Sequence, residues 1–279
     1  MKQSFTDRLA AIRQRKNSVL CVGIDPDPDK LPPSLSGVGS IPDQVSKFSK
    51  EIILSTASSA AAFKFNLAFF EALGKSGWTV LQDVLASVPS DVLTIADAKR
   101  GDIGNSARFY AKALLEDLPF DAITLSPFMG CDSVVPFLGY AGKAVFILAR
   151  TSNPGGSDFQ TLLVNGEPLY MNVARQALTW STGLPGIVGL VTGARDTAAL
   201  ASLRKLCPNT PFLVPGIGAQ GGRVALVMQA AGFGPILVHS SRAIIYSASG
   251  EDFSSAASVA AEKIRMSLQE AHHKSIRAS

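Results

Sequence analysis

Eight short runs of apolar and β-branched residues recur along the chain, each followed by a segment with helical spacing, and this alternation limits the fold more than any other feature. The strand candidates are 19–25, 62–66, 93–99, 122–126, 144–151, 186–192, 212–218 and 235–240. The helical patterns are 44–58, 68–86, 106–118, 133–140, 168–181, 197–206, 222–231 and 253–271. A strand can pair parallel with the next only through a crossover of a dozen or more residues, usually a helix, so strict alternation predicts a parallel sheet. Eight units without self-similarity predict an α/β fold of the closed (β/α)8 TIM-barrel type rather than an open doubly wound sheet. With 279 residues, 47% of them hydrophobic, and no linker-like stretch, the chain is expected to form a single domain spanning residues 1–279. A further helix, about residues 3–16 with Phe5, Leu9 and Ile12 at helical spacing, precedes strand one.

Active sites of such barrels lie at the carboxyl ends of the strands, and polar residues gather there in this sequence. Strand one ends in Asp25, strand two carries Lys64, and strand three ends in Asp97 and Lys99. Strand five runs into Thr151-Ser152-Asn153, strand seven into Pro215-Gly216-Ile217-Gly218 and strand eight into Ser240-Ser241-Arg242. The densest cluster is Asp97-Ala98-Lys99-Arg100-Gly101-Asp102, emerging from the apolar run 92–95. Alternation places Asp97 and Lys99 on one face of the strand, with Gly101 turning the chain before Asp102. Charged groups are seldom buried unless paired, so Lys64, within an otherwise apolar strand, needs acidic neighbours. Asp25 and Asp97 on the adjacent strands are the natural partners. A purely structural ion-pair network is the competing reading of the same residues.

The segment Pro215-Gly216-Ile217-Gly218-Ala219-Gln220-Gly221-Gly222 concentrates glycines between a strand and a helix. Such a loop lets backbone N–H groups approach an anion near a helix N-terminus, and barrels commonly bind phosphate after strands seven and eight. Arg242 at the next strand end can add a bidentate contact. The net charge of +4 is scattered rather than massed, which fits an anionic small molecule better than nucleic acid. Cys21, Cys131 and Cys207 are odd in number and widely spaced, which fits reduced thiols in a cytosolic protein. The basic start raises the possibility of a transit peptide, but Asp7 and the immediate run into a core strand argue against one. No secretory signal or membrane-length apolar run is visible, and a cytoplasmic location is expected.

Taken together these residues resemble the orotidine 5'-phosphate decarboxylase family over nearly the whole chain. The resemblance rests on Asp97-x-Lys99-x-x-Asp102-Ile103, with Val22-Gly23-Ile24-Asp25, Phe63-Lys64, Ser152-Asn153-Pro154-Gly155, the glycine-rich segment 215–222 and Ser241-Arg242 in the expected order. The wording of 97–102 and of Gly23-Ile24-Asp25-Pro26-Asp27-Pro28 is similar to the longer bacterial subgroup. Ser106 stands where many members carry threonine and keeps the hydroxyl.

The resemblance implies loss of CO2 from C6 of orotidine 5'-phosphate to give uridine 5'-phosphate, without metal or organic cofactor. It implies Lys99 as proton donor to C6 and Lys64, Asp97 and Asp102 as the rest of a charged array. Asp102 and Ile103 would reach the partner subunit's site in a homodimer, and neither nucleic acid nor membrane is implied as a partner. Asp25 and Lys64 would contact the ribose, with Ser106 and Asp102 near it across the interface. Ser152 would read the pyrimidine amide, and Pro215, Gly218, Gln220, Gly221 and Arg242 would surround the phosphate. The segment Gly155-Gly156 would belong to a closing lid.

Two rivals set the terms of comparison. A sugar-phosphate decarboxylase or aldolase of the same barrel superfamily shares Asp-x-Lys-x-x-Asp, but uses magnesium with an acidic residue on strand two. This chain has Lys64 there, and an ammonium repels a cation. A barrel that binds a nucleotide or phosphosugar without chemistry has no need to enclose so many charges.

Overall fold

The computed structural model describes residues 3–217 and 221–277. Eight parallel strands close into a barrel: β1 Leu20–Ile24, β2 Ala62–Asn66, β3 Leu93–Arg100, β4 Ala122–Leu125, β5 Ala144–Arg150, β6 Ile187–Thr192, β7 Phe212–Pro215 and β8 Ile236–Ser240. Their order around the barrel is β1-β8-β7-β6-β5-β4-β3-β2, so each strand pairs with its neighbours in sequence and β8 closes on β1. The expected TIM barrel is therefore the observed fold. Among the described residues no helix is long and apolar enough to cross a membrane.

Two faces of the strands make two cores. Val22, Phe63, Ile123, Val145, Val214 and Val238 point outward and are buried under the surrounding helices. Cys21, Ala62, Ile95, Ala122, Ala144, Phe146, Leu213 and Leu237 point inward and fill the barrel. The inner core is completed by the helix Phe5–Lys16, whose Phe5, Leu9 and Ile12 are buried in that same cluster. Ser4 caps this helix by accepting from the Asp7 N–H at 3.1 Å, and Asn17 ends it in a left-handed conformation. Phe5 meets Phe146 edge to face with centroids 5.7 Å apart. Arg8 donates to Asp121, whose other carboxylate oxygen accepts from the Thr94 N–H at 2.9 Å. The helix thus closes the amino end of the barrel and leaves the carboxyl end for polar groups.

Among the helices and connections the structure departs from the sequence reading in three places. The expected helix 68–86 is divided into Leu67–Glu71, a turn at Gly74–Ser76 and Gly77–Ala86. Gly74 adopts φ +61° and breaks the run, and a Cβ on Gly77 would lie 1.8 Å from the Phe70 carbonyl oxygen. The expected helix 106–118 starts earlier, spans Gly104–Lys112 and ends in a wider π turn over Ala113–Asp117. Between β5 and the helix Leu169–Trp180 lies an unanticipated hairpin, Leu163–Val164 against Glu167–Pro168. Its turn is Asn165-Gly166, both at positive φ, as a two-residue hairpin turn requires.

The inward packing of the first helix makes a stability prediction. Phe5→Ala removes a fully buried ring from the barrel floor and is expected to cost about 3–5 kcal/mol in denaturant unfolding. An equal change at exposed Phe109 should alter stability little, and comparable losses at both positions would contradict the plug.

Candidate active site

The carboxyl end of the barrel holds a chain of charges centred on Asp97. Lys64, on β2, donates to Asp97 Oδ2 at 2.5 Å, and Lys99 donates to Asp97 Oδ1 at 2.6 Å. Thr124 on β4 donates to the same Oδ1 at 2.9 Å. Register explains the meeting: Asn66 of β2 lies opposite Asp97 of β3, bringing Lys64 alongside, while β4 presents Thr124 from the other side. Lys64 is 4% exposed and Asp97 9% exposed, whereas half of the Lys99 side chain remains accessible. The array therefore presents one ammonium to the barrel mouth and keeps the other beneath it.

The meeting of Asp97 and Lys99 does not follow simple strand alternation. The β3–β4 register shifts between Ala96 and Arg100, and Lys99 sits at φ +48°. The other non-glycine residues with positive φ among those described are Asn17 and Asn165, a type that tolerates this region. For lysine the conformation costs on the order of 1 kcal/mol or more, and residues held this way cluster at functional sites. The Lys99 N–H donates to Thr124 Oγ1 at 3.1 Å, so one hydroxyl fixes both the strained backbone and the carboxylate that receives the lysine.

Burial and charge oppose each other in this array, and charge prevails. Desolvation would raise the Asp97 pKa, but the Lys64 and Lys99 ammoniums hold it far below the usual carboxylate range. Desolvation would likewise lower Lys64, yet Asp97 and then Asp25 hold it above the ordinary lysine value. Cys21, just below in the barrel, is pushed up to about 12 by burial and stays a thiol.

The remaining expected residues fall into three groups. Asp25 and Ser152 flank the mouth. Asp25 acts on Lys64 electrostatically, and its Oδ1 is buried without a hydrogen-bond partner among the described residues. The Asp25 carbonyl accepts from the Tyr246 hydroxyl at 3.0 Å, which in turn accepts from the Asp27 N–H at 2.7 Å. A Cβ on Gly193 would lie 2.7 Å from Ser152 Cβ and one on Gly216 would lie 3.8 Å from Ser152 Oγ, so Ser152 lies against the exits of β6 and β7. Its loop is fastened by Gln160, which accepts from the Thr151 N–H at 2.8 Å and donates to Thr151 Oγ1 at 2.9 Å.

Asp102, Ile103 and Ser106 form the second group, and within one chain they are not joined to the array. Asp102 accepts from the Ile103 N–H at 2.8 Å, while Ile103 is 47% exposed and Ser106 is exposed on the helix Gly104–Lys112. The third group follows β7 and β8. Pro215 ends β7, Gly221 starts the helix Gly221–Ala231, and Arg242 is exposed at the start of the helix Arg242–Ile245. Gly218 and Gln220 lie outside the described residues.

Thr124 and Tyr246 were not anticipated. Thr124 was legible as a hydroxyl two residues after inward-facing Ala122, a parity that places it beneath the mouth. Tyr246 lies 221 residues from Asp25 along the chain, and no local pattern announces that pairing. Among the described residues no group of three or more His, Cys, Asp or Glu side chains is placed to hold a metal ion.

Comparison with known proteins adds the following. Residues 18–251 match the profile of the Orotidine 5'-phosphate decarboxylase / HUMPS family. Orotidine 5'-phosphate decarboxylase of Dehalococcoides mccartyi is 42% identical over 269 residues, covering 94% of this chain and 96% of the relative. That of Cupriavidus metallidurans is 42% identical over 276 residues, covering 97% and 99%. Among solved structures, Leishmania donovani OMP decarboxylase superposes with a TM-score of 0.79 at 37% identity, covering 95% of this chain and 99% of that one.

The shared carboxylate makes a stability prediction with a pH signature. Asp97→Asn leaves the buried Lys64 ammonium without its closest counter-charge and is expected to cost about 3–5 kcal/mol at pH 7. A depressed folded-state pKa contributes stability above the unfolded value of about 3.9 and loses it as pH falls through the folded value. Denaturation series should therefore show a constant gap between native protein and variant from neutral pH down to about 5, narrowing below about 4. A gap independent of pH would rule out the ionised carboxylate as its source.

Proposed function

The chain belongs to the orotidine 5'-phosphate decarboxylase / HUMPS family, and we propose that it releases CO2 from C6 of orotidine 5'-phosphate to form uridine 5'-phosphate, a carboxy-lyase reaction. The observation that carries this reading is the Lys64–Asp97–Lys99 array, with an ammonium at the β2 position. When CO2 leaves an sp2 carbon, the electron pair remains in an orbital orthogonal to the ring π system. Delocalisation gives little relief, and a fixed positive charge must stabilise it. Lys99, accessible at the mouth, is placed to do so and then to protonate C6.

At about 3 Å and an effective dielectric near 20, one ammonium contributes about 5 kcal/mol. That corresponds to roughly four orders of magnitude in rate. The rest of the array acts by preorganisation: Asp97 holds the Lys99 ammonium, Lys64 and Thr124 hold Asp97, and little reorientation remains for the reaction itself. Metal-assisted phosphosugar chemistry is disfavoured by Lys64, which places positive charge where a divalent cation would need a carboxylate.

The family resemblance supports the following substrate roles. Asp25 and Lys64 take the ribose, and Ser152 takes the pyrimidine amide. Pro215, Gly218, Gln220, Gly221 and Arg242 surround the phosphate. Asp102 and Ile103, with Ser106 nearby, complete the neighbouring subunit's site in a homodimer; their exposure within one chain supports this reading. Phosphate binding remote from C6 supports closure of the loop after β5, so a substrate without phosphate should lose turnover as well as affinity.

An ultraviolet assay separating orotidine from uridine nucleotides tests the reaction. Turnover should survive EDTA and fall by about four orders of magnitude in Lys99→Ala. Activity on a phosphosugar that appears only with magnesium would overturn the reading. The dimer is tested by complementation. Lys99→Ala and Asp102→Ala chains, each inactive alone, should on mixing recover about a quarter of native activity, since half the dimers are mixed and each carries one intact site. No recovery after confirmed subunit exchange would refute the shared site.

A further inference from the structure

His239 lies beside the array without belonging to it. On β8 it follows inward-facing Leu237 by two residues, so its ring enters the barrel. The ring lies across Gly23 of β1: a Cβ there would be 2.5 Å from His239 Nε2 and 2.6 Å from Ser241 Cβ. Gly23 is registered with Lys64 on β2, and its lack of a side chain lets His239 and Ser241 approach β1 beside that lysine. His239 is 9% exposed, and its Nε2 has no hydrogen-bond partner among the described residues. Burial, then the nearby Lys64 ammonium, hold its pKa well below the ordinary histidine value. The ring is uncharged at neutral pH, with one nitrogen donating and the other accepting.

Two more polar atoms at this seam share that condition. Asp25 Oδ1, two residues beyond Gly23 on β1, and Ser241 Oγ, two residues beyond His239, are both buried and unpartnered among the described residues. Buried polar groups are nearly always hydrogen-bonded, so three such atoms at one seam call for a common polar group. A hydroxyl fits all three: it donates to a carboxylate or an imidazole lone pair, and it accepts from a serine or an imidazole N–H. With His239 in its Nε2–H tautomer, one hydroxyl serves all three, donating to Asp25 and accepting from His239 and Ser241.

We propose that His239, together with Asp25 and Ser241, binds a ribose hydroxyl and makes the site selective for ribonucleotides over their deoxy counterparts. This rests on the nucleotide reading above and adds a contact from β8 to the ribose contacts of Asp25 and Lys64.

Calorimetric titration of the intact protein with uridine 5'-phosphate and its 2'-deoxy and 3'-deoxy analogues tests the contact. The native protein should bind the full nucleotide about tenfold more tightly than the analogue lacking the paired hydroxyl, the effect of one hydrogen bond. His239→Leu should abolish that difference and leave the affinity for that analogue unchanged. An equal loss for all three nucleotides would make His239 structural and overturn the proposal. Nitrogen-15 spectra of histidine-labelled native protein give a second measurement that does not depend on a variant folding. The His239 Nε2 resonance should move with the full nucleotide and not with the insensitive analogue, with His272 and His273 as references; identical responses to both would also overturn it. Failure of the native protein to bind any of the three would refute the nucleotide reading itself. Binding without His239-dependent discrimination would refute only this contact.

Discussion

Asp97 is the residue on which the rest of the site depends. One carboxylate receives two ammoniums and a hydroxyl, and each of those contacts solves a different problem. Lys64 could not remain charged at its depth without a counter-ion, and Asp97 supplies one. Lys99 could not be held at the mouth by packing alone, because half of its side chain faces solvent. Thr124 ties the carboxylate to the backbone of Lys99 and so couples the side-chain geometry to the turn that ends β3. The positive φ at Lys99 is the conformational cost of this arrangement, offset by bonds that exist only when the turn is made.

The barrel was legible because its two periodicities are cleanly separated. Strands that alternate with helices leave few topologies, and inward and outward residues on β1, β2 and β8 follow the expected parity. Lys64 and Asp97 were legible for the same reason, since a charge at an inward position near a strand end has few alternatives to a site. What the sequence hid depends on backbone conformation or on distant contacts. Gly74 was read as one residue in a helical pattern, and only its left-handed conformation divides that helix. Asn165-Gly166 carries a strong hairpin signal, yet the paired segments are two residues each, too short for alternation to register. The register shift in β3 lies within a run that reads as regular strand, and Tyr246 reaches Asp25 from the far end of the chain.

The residue at the β2 position has consequences beyond its own pair. Several charges at the mouth lie close enough to act on one another. Lys64 lowers the pKa of Asp97 and of His239 and is itself raised by Asp97 and Asp25. With an ammonium there, the mouth is built to stabilise a carbanion in place by fixed charge. With a carboxylate there, the same frame would gather a divalent cation and stabilise an enediolate through it. The sign of this one inward-facing charge therefore separates the proposed reaction from metal-assisted phosphosugar chemistry.

The division between what is buried and what is exposed also orders the catalytic cycle. Lys64, Asp97 and Thr124 are buried on three adjacent strands and are joined there by hydrogen bonds without any substrate. Ser106, Ile103, Asp102 and Arg242 lie on loops or helix starts that the single chain leaves wholly or partly open to solvent. On the proposed reading, energy from phosphate, ribose and subunit contacts would be directed to closing loops around a charge array already formed in the barrel wall. An array that had to assemble on each turnover would lose the benefit of fixed dipoles and charges, because the reorganisation would be repeated at every reaction. Keeping the array in the barrel wall and the recognition groups on its rim reconciles a rigid electrostatic centre with a substrate that must enter and leave.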